Sequence, residues 1–144
     1  MKLINDIDLF LIEKKKFLDD LFEIELEDIY VMELSKNDFE IMKQPKWVVG
    51  FSYPRKRIIF VMNKEQYERT YEEWLKLIVH EMVHIYYLTV FETAKPGWLF
   101  EGLASYIAEQ KQQKVEVSIN DLIKNFNKPE YVKGYNFVRK MLEK

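Results

Sequence analysis

The segment TYEEWLKLIVHEMVHIYYLTVF occupies residues 70–91, and it places the longest predicted helix of the chain. Thr70 and Glu73 have the spacing of a capping box, which marks the start of a helix. Apolar residues then recur at the three-to-four spacing of a helix face, beginning with Trp74, Leu77, Ile78 and Val79. We therefore predict a helix that runs from Thr70 to about Phe91.

The segments before this helix predict a second helix and a small sheet. Residues 5–22 have the apolar periodicity of an amphipathic helix, and residues 24–34 read as an extended segment. Residues 47–52 and 58–62 are two apolar runs separated by a turn around Pro54. This arrangement is typical of a β-hairpin.

The segments after it predict further helices. The break at Lys95-Pro96-Gly97 precedes a helix expected from Trp98 to about Gln110. Ser118 with Asp121 resembles the cap of a short helix, and Pro129 suits the first turn of a last one. We predict an α+β fold in which a mixed or antiparallel sheet of about three strands packs on the 70–91 helix, with a helical C-terminal part. Residues 1–144 are expected to form a single domain.

Composition excludes several classes of function. The chain has no cysteine, so disulfides, thiol catalysis and thiolate zinc sites are excluded. Its net charge of −2 gives no indication of nucleic-acid or membrane partners. Asp6 and Asp8 interrupt the N-terminal apolar stretch, unlike a signal peptide, and no apolar run approaches the ~20 residues of a membrane span. We therefore expect a cytoplasmic location.

The strongest chemical signal is the pattern H-E-x-x-H at residues 80–84. His80 and His84 are four residues apart, so on a helix both imidazoles project from one face and can bind the same ion. Glu81 can reach water on that ion without being a ligand. The alternative is two ordinary helix histidines, one buried and one exposed.

A third ligand must be a carboxylate, because the chain has only two histidines. Glu92 is near in sequence but is expected at the end of the same helix, pointing along it. Glu101 is better placed, because the Pro96-Gly97 break lets the next helix lie across the first. Gly102 and Ala104 would allow a close approach of the two helices, and Ser105 is positioned to hydrogen-bond a ligand.

The two blocks HEMVH (80–84) and WLFEGLASY (98–106) resemble the gluzincin pattern of zinc metallopeptidases, and the length resembles the single-domain minigluzincins. This resemblance implies one Zn²⁺ held by His80, His84 and Glu101, with Glu81 as the general base. The YVKG stretch at 131–134 resembles a segment whose tyrosine steadies the transition state, which makes Tyr131 the candidate for that role. Tyr106 and Tyr135 are competitors.

The resemblance also has two departures. Phe100 stands where many aminopeptidases of the clan have Asn, and the sequence GAMEN, which grips the amine of the substrate, does not occur upstream. Aminopeptidase specificity is therefore not supported. In proteins of this type an edge strand before the metal helix aligns an extended substrate, and residues 58–61 are the expected equivalent.

The predicted function is zinc-dependent hydrolysis of peptides or unfolded protein segments. A catalytically silent or latent zinc domain with a structural or partner-binding role is the alternative. A third possibility is a helical interaction module whose two histidines are merely packed. The sequence does not decide between endopeptidase and exopeptidase action, and zinc is the default ion for this ligand set.

Overall fold

A computed structural model describes residues 1–110 and 139–141. Four strands and four complete α-helices lie there: β1 Lys2–Leu3, α1 Leu9–Phe22, β2 Tyr30–Leu34, α2 Lys36–Ile41, β3 Gly50–Tyr53, β4 Ile58–Met62, α3 Tyr71–Phe91 and α4 Gly97–Ile107. The α+β class is confirmed, with helices α3 and α4 following the strands and residues 139–141 also helical. The predicted caps at Ser118 and Asp121 and the predicted helix at Pro129 lie outside the described residues.

The sheet is mixed and has the strand order β1-β2-β4-β3. Strand β4 pairs in parallel with β2 and antiparallel with β3, so the predicted hairpin is present. The sheet has four strands where about three were expected, because β1 is only two residues long and carries no readable periodicity. The expectation that residues 58–61 form an edge strand is wrong, since β4 is paired on both sides. The edge strand beside it is β3.

Helix α3 begins where the sequence predicts, and its start is attached to the sheet. The hydroxyl of Thr70 accepts a hydrogen bond from the Glu73 N–H at 3.1 Å. The indole N–H of Trp74 donates to the Met62 carbonyl at the end of β4, at 3.0 Å. On β3, a Cβ added to Gly50 would lie 3.3 Å from Leu77 of α3, so glycine permits a close approach of strand and helix.

The middle and end of α3 are buried between its neighbours. Met82, Val83, Ile85 and Tyr86 are fully buried in the core that α3 shares with α1, α4 and the sheet. A helix with apolar residues on most of its circumference is buried in this way. Among the described residues, no helix combines the length and the apolar composition that a membrane span requires.

A polar network attaches α3 to α1. The Tyr86 hydroxyl donates to the Asp19 carboxylate, and burial followed by this bond raises the pKa of the phenol far above its ordinary value. Lys15 donates to Asp19 and to the Leu26 carbonyl, each at 2.9 Å. The Leu26 N–H donates to Asp19 as well, at 3.3 Å. These bonds fix the helix that carries the histidines against the N-terminal part of the chain.

Candidate metal centre

The two histidines of α3 lie on the side of the helix that faces α4. Their ring centroids are 4.7 Å apart and the rings are nearly perpendicular. His84 is buried, whereas the side chain of His80 is 15% exposed. The four-residue spacing therefore brings the two imidazoles together as the sequence predicts.

The turn after α3 brings Glu101 to the histidines. Glu92 ends α3 in the left-handed conformation, with φ 59°, so it lies at the end of the helix as expected. The Tyr87 hydroxyl then donates to the Lys95 carbonyl at 2.8 Å, which holds the turn against α3. Helix α4 starts directly afterwards and packs on α3 through its apolar face, made of Leu99, Leu103, Ala104 and Ile107.

Glu101 faces both imidazoles. Its Oε2 is 3.1 Å from Nε2 of His80, and its Oε1 is 3.2 Å from Nε2 of His84. One ligand atom from each of these residues lies within 4.8 Å of the others. The predicted role of Gly102 in helix packing is wrong, because an added Cβ there would meet nothing within 4 Å. Ala104, the other small residue expected between the two helices, is buried.

The charges of these groups stabilise one another. Hydrogen bonds first to His80 and then to His84 hold the pKa of the Glu101 carboxyl far below its ordinary value. Burial opposes protonation of His80, but its hydrogen bonds to Glu101 and Gln110 outweigh this and raise its pKa. Glu101 therefore stays ionised, and a metal ion that bound these groups would displace the protons of the imidazoles.

The donor set fits a divalent metal ion. Two imidazole nitrogens and one carboxylate are the protein ligands of many catalytic zinc sites, which leave a fourth position open. Two ligand atoms about 2.1 Å from one tetrahedral ion are roughly 3.4 Å apart. The measured separations of 3.1 and 3.2 Å between nitrogen and oxygen are close to that value. His80, His84 and Glu101 could therefore hold one ion with little rearrangement.

Glu81 lies beside the three candidate ligands but is not one of them. Only 6% of its surface is exposed. Burial raises the pKa of its carboxyl, an effect opposed by the charges of His84 and His80 and assisted by Glu101. A carboxyl with a raised pKa can hold and release a proton nearer to neutral pH than an exposed one.

Two residues that sequence reasoning missed hold the histidine rings. The ring of Phe100 stacks on His84, with centroids 3.8 Å apart and planes 10° from parallel. Gln110 Oε1 lies 2.8 Å from Nδ1 of His80. The position of Phe100 directly before Glu101 was a usable signal, but nothing in the sequence connects Gln110 with a residue thirty positions earlier.

The remaining predicted site residues are only partly described. Ser105 is buried, but within residues 1–110 and 139–141 its hydroxyl makes no hydrogen bond to His80, His84 or Glu101. Tyr106 lies on α4 and is 71% exposed. Tyr131 and Tyr135 lie outside the described residues.

Comparison with known proteins gave no match for this chain. No family model matches it, and neither does any curated protein or solved structure. The structure itself shows two histidines and one glutamate at metal-binding distance, on two packed helices of an α+β fold.

Proposed function

We propose that the protein is a zinc-dependent metallopeptidase of the gluzincin type that hydrolyses peptide bonds. One observation supports this proposal above the others. The Glu101 carboxylate lies within 3.2 Å of Nε2 of both histidines, while Glu81, the residue next to the first histidine, is buried beside them without belonging to the group. A purely structural site would have no use for a general base at that position.

The residues of the site divide the chemistry between them. Two neutral imidazoles and one carboxylate would leave a charge of about +1 on a bound divalent ion, which lowers the pKa of a water ligand from ~16 to ~7. Glu81 accepts the proton of the attacking water and delivers it to the leaving amine. Its burial raises the pKa of the carboxyl and so favours both transfers.

The substrate we propose is an extended peptide or an unfolded protein segment. Strand β3 ends the sheet on one side, and in the described part of the chain no strand pairs with its outer edge. Gly50 of β3 packs against Leu77, which lies one helical turn before His80. A peptide that added a strand to β3 would be bound through its backbone, and such binding tolerates many sequences.

Two finer assignments belong to the same proposal. Tyr131 is the candidate donor to the oxyanion of the transition state, a role worth a few kcal/mol in enzymes of known mechanism. If Tyr131→Phe hydrolysed peptides as fast as wild type, Tyr131 would have no role in the mechanism. Tyr106 and Tyr135 would then be the remaining candidates. We also propose a cytoplasmic location, which agrees with a sequence without cysteine.

The test measures bound zinc and hydrolysis of fluorogenic casein in the same preparations. Wild type should hold one zinc ion and cleave casein. Glu101→Ala should lose the metal, and Glu81→Gln should keep it but lose hydrolysis by orders of magnitude. Glu92→Gln is the matched control, because Glu92 lies at the end of the same helix and outside the site.

The other outcomes have distinct meanings. Equal hydrolysis by Glu81→Gln and wild type would end the peptidase proposal. Zinc bound by wild type without hydrolysis would indicate the alternative, a silent or latent zinc domain. Absence of zinc after reconstitution would leave two packed histidines on a helix and remove the metal site.

A further inference from the structure

The end of helix α4 places the side-chain amide oxygen of Gln110 next to Nδ1 of His80. Gln110 Oε1 is 2.8 Å from Nδ1 of His80, while Nε2 on the other side of the ring faces Glu101 at 3.1 Å. An amide oxygen can only accept a hydrogen bond, so with the amide in this orientation the bond forms only when Nδ1 carries a proton and donates it. Nδ1 keeps this proton whether Nε2 binds a second proton or a metal ion.

We propose that Gln110 is the positioning residue of His80, holding the ring so that Nε2 points at the metal position. This inference rests on the proposed zinc site. A ligand histidine almost always donates its second ring N–H to an acceptor, which fixes the tautomer and the ring orientation. Gln110 supplies that acceptor here, in place of the Ser105 hydroxyl that the sequence suggested.

The backbone around Gln110 is fixed by the way α4 ends. The Gln110 N–H donates to the Ser105 carbonyl at 3.0 Å, and the Glu109 N–H donates to the Tyr106 carbonyl at 3.1 Å. Glu109 itself is left-handed, with φ 59°. These are the two hydrogen bonds of a Schellman motif, which ends a helix in one defined geometry. The side chain of Gln110 therefore starts from a backbone position that α4 determines.

The two histidines need different support. Phe100 stacks on His84, whose Nδ1 is buried and makes no hydrogen bond within the described residues. Packing thus orients His84. In the described part of the chain, His84 supplies the one aromatic ring that contacts His80. His80 is also the more exposed of the two, at 15% against 7% for the side chains. Besides its contact with Glu101, His80 is therefore held by the hydrogen bond between its Nδ1 and Gln110.

The experiment compares Gln110→Met with Gln110→Glu. Methionine keeps the approximate size of the side chain but removes the acceptor, and glutamate keeps an acceptor oxygen. Zinc affinity, measured by competition with a chromogenic chelator, should fall about 10–100-fold in Gln110→Met. It should stay within a few-fold of wild type, or increase, in Gln110→Glu. Glu109→Gln is the neighbouring control and should leave the affinity unchanged.

A second measurement separates positioning from folding. The melting temperature of the metal-free protein should be similar in wild type and both variants. In the zinc-loaded protein, the Nδ1–H of His80 should give a slowly exchanging NMR signal in wild type and Gln110→Glu but not in Gln110→Met. The signal can be assigned because the sequence has only two histidines.

The results that contradict the inference differ from those that contradict the metal site. If wild type and Gln110→Met bind zinc equally well, or if Gln110→Glu loses as much affinity as Gln110→Met, Gln110 has no positioning role and the zinc site stands. If wild type binds no zinc, the site and the inference both fail.

Discussion

Helix α3 carries two polar networks, one toward α1 and one toward α4, and they differ in how completely they are satisfied. Toward α1, the Asp19 carboxylate receives hydrogen bonds from Tyr86, Lys15 and the Leu26 backbone. Toward α4, Glu101 remains 62% exposed, and a buried nitrogen of His84 has no partner in the described residues. The first network is closed, whereas in the second the Glu101 carboxylate and the two Nε2 atoms that it faces are the groups that a metal ion would bind.

This difference separates stability from function. A buried polar network with all partners in place fixes one arrangement of the helices it joins. Groups whose hydrogen-bonding capacity is left open cost stability unless a ligand uses them. We therefore expect changes in the α1-facing network to alter the free energy of unfolding, and changes in the α4-facing network to alter zinc binding.

The largest effect is expected from the loss of a proposed ligand. Glu101→Ala should weaken zinc binding by more than the roughly 10–100-fold that loss of an outer hydrogen-bond partner costs. Zinc at about a hundred times its dissociation constant should stabilise wild type by about 2.7 kcal/mol and the variant hardly at all. Thermal unfolding with zinc and with chelator measures this. Equal zinc-induced shifts in both proteins would contradict the role of Glu101.

The next largest effect is expected on the other side of the helix. Asp19→Ala removes the common acceptor of Tyr86, Lys15 and Leu26, so it should lower the free energy of unfolding by about 2–4 kcal/mol. Urea unfolding of the metal-free protein measures the loss, and Glu13→Ala on the exposed face of α1 is the control. Zinc affinity should stay within a few-fold of wild type. A loss of affinity comparable to that of Glu101→Ala would mean that the two networks are coupled.

A smaller effect is expected at Phe100, which connects packing with the site. Phe100→Leu keeps an apolar side chain but removes the stacking on His84, so the metal-free protein should lose about 1 kcal/mol. Zinc affinity should fall less than in Gln110→Met, because the buried surroundings of His84 still restrict its ring. Urea unfolding and chelator competition measure the two quantities. A larger loss of affinity in Phe100→Leu would show that stacking is the stronger of the two restraints.

The smallest effect is expected for Tyr86→Phe, because this variant should lower stability alone and leave zinc binding unchanged. This variant removes one hydrogen bond but leaves Asp19 with Lys15 and the Leu26 backbone, so the loss should be about 1 kcal/mol. Unfolding in urea should show this difference, and zinc content should equal that of wild type. No change in stability would mean that the Tyr86–Asp19 bond contributes nothing beyond what water offers the unfolded chain.

Much of the fold could be predicted because local sequence governs it. The helix start at Thr70, the turn that joins β3 to β4, and the side-by-side histidines follow from caps, turn residues and a spacing of four. The predictions were wrong where an element is short or where a strand pairs with a segment distant in sequence. Strand β1 and helix α2 (Lys36–Ile41) were missed, and β4 was expected at an edge although β2 pairs with it from the other side.

The sequence by itself predicted which side chains form the candidate site, because the four-residue spacing of His80 and His84 places both imidazoles on one helix face. Only the tertiary structure decided how these groups are held. The turn after Glu92 brings Glu101 within 3.2 Å of both imidazoles, and the end of α4 brings Gln110 to His80. The physical reason is that helical spacing is a local property of the chain, whereas contacts between helices depend on the path of the turn and on the packing of buried faces.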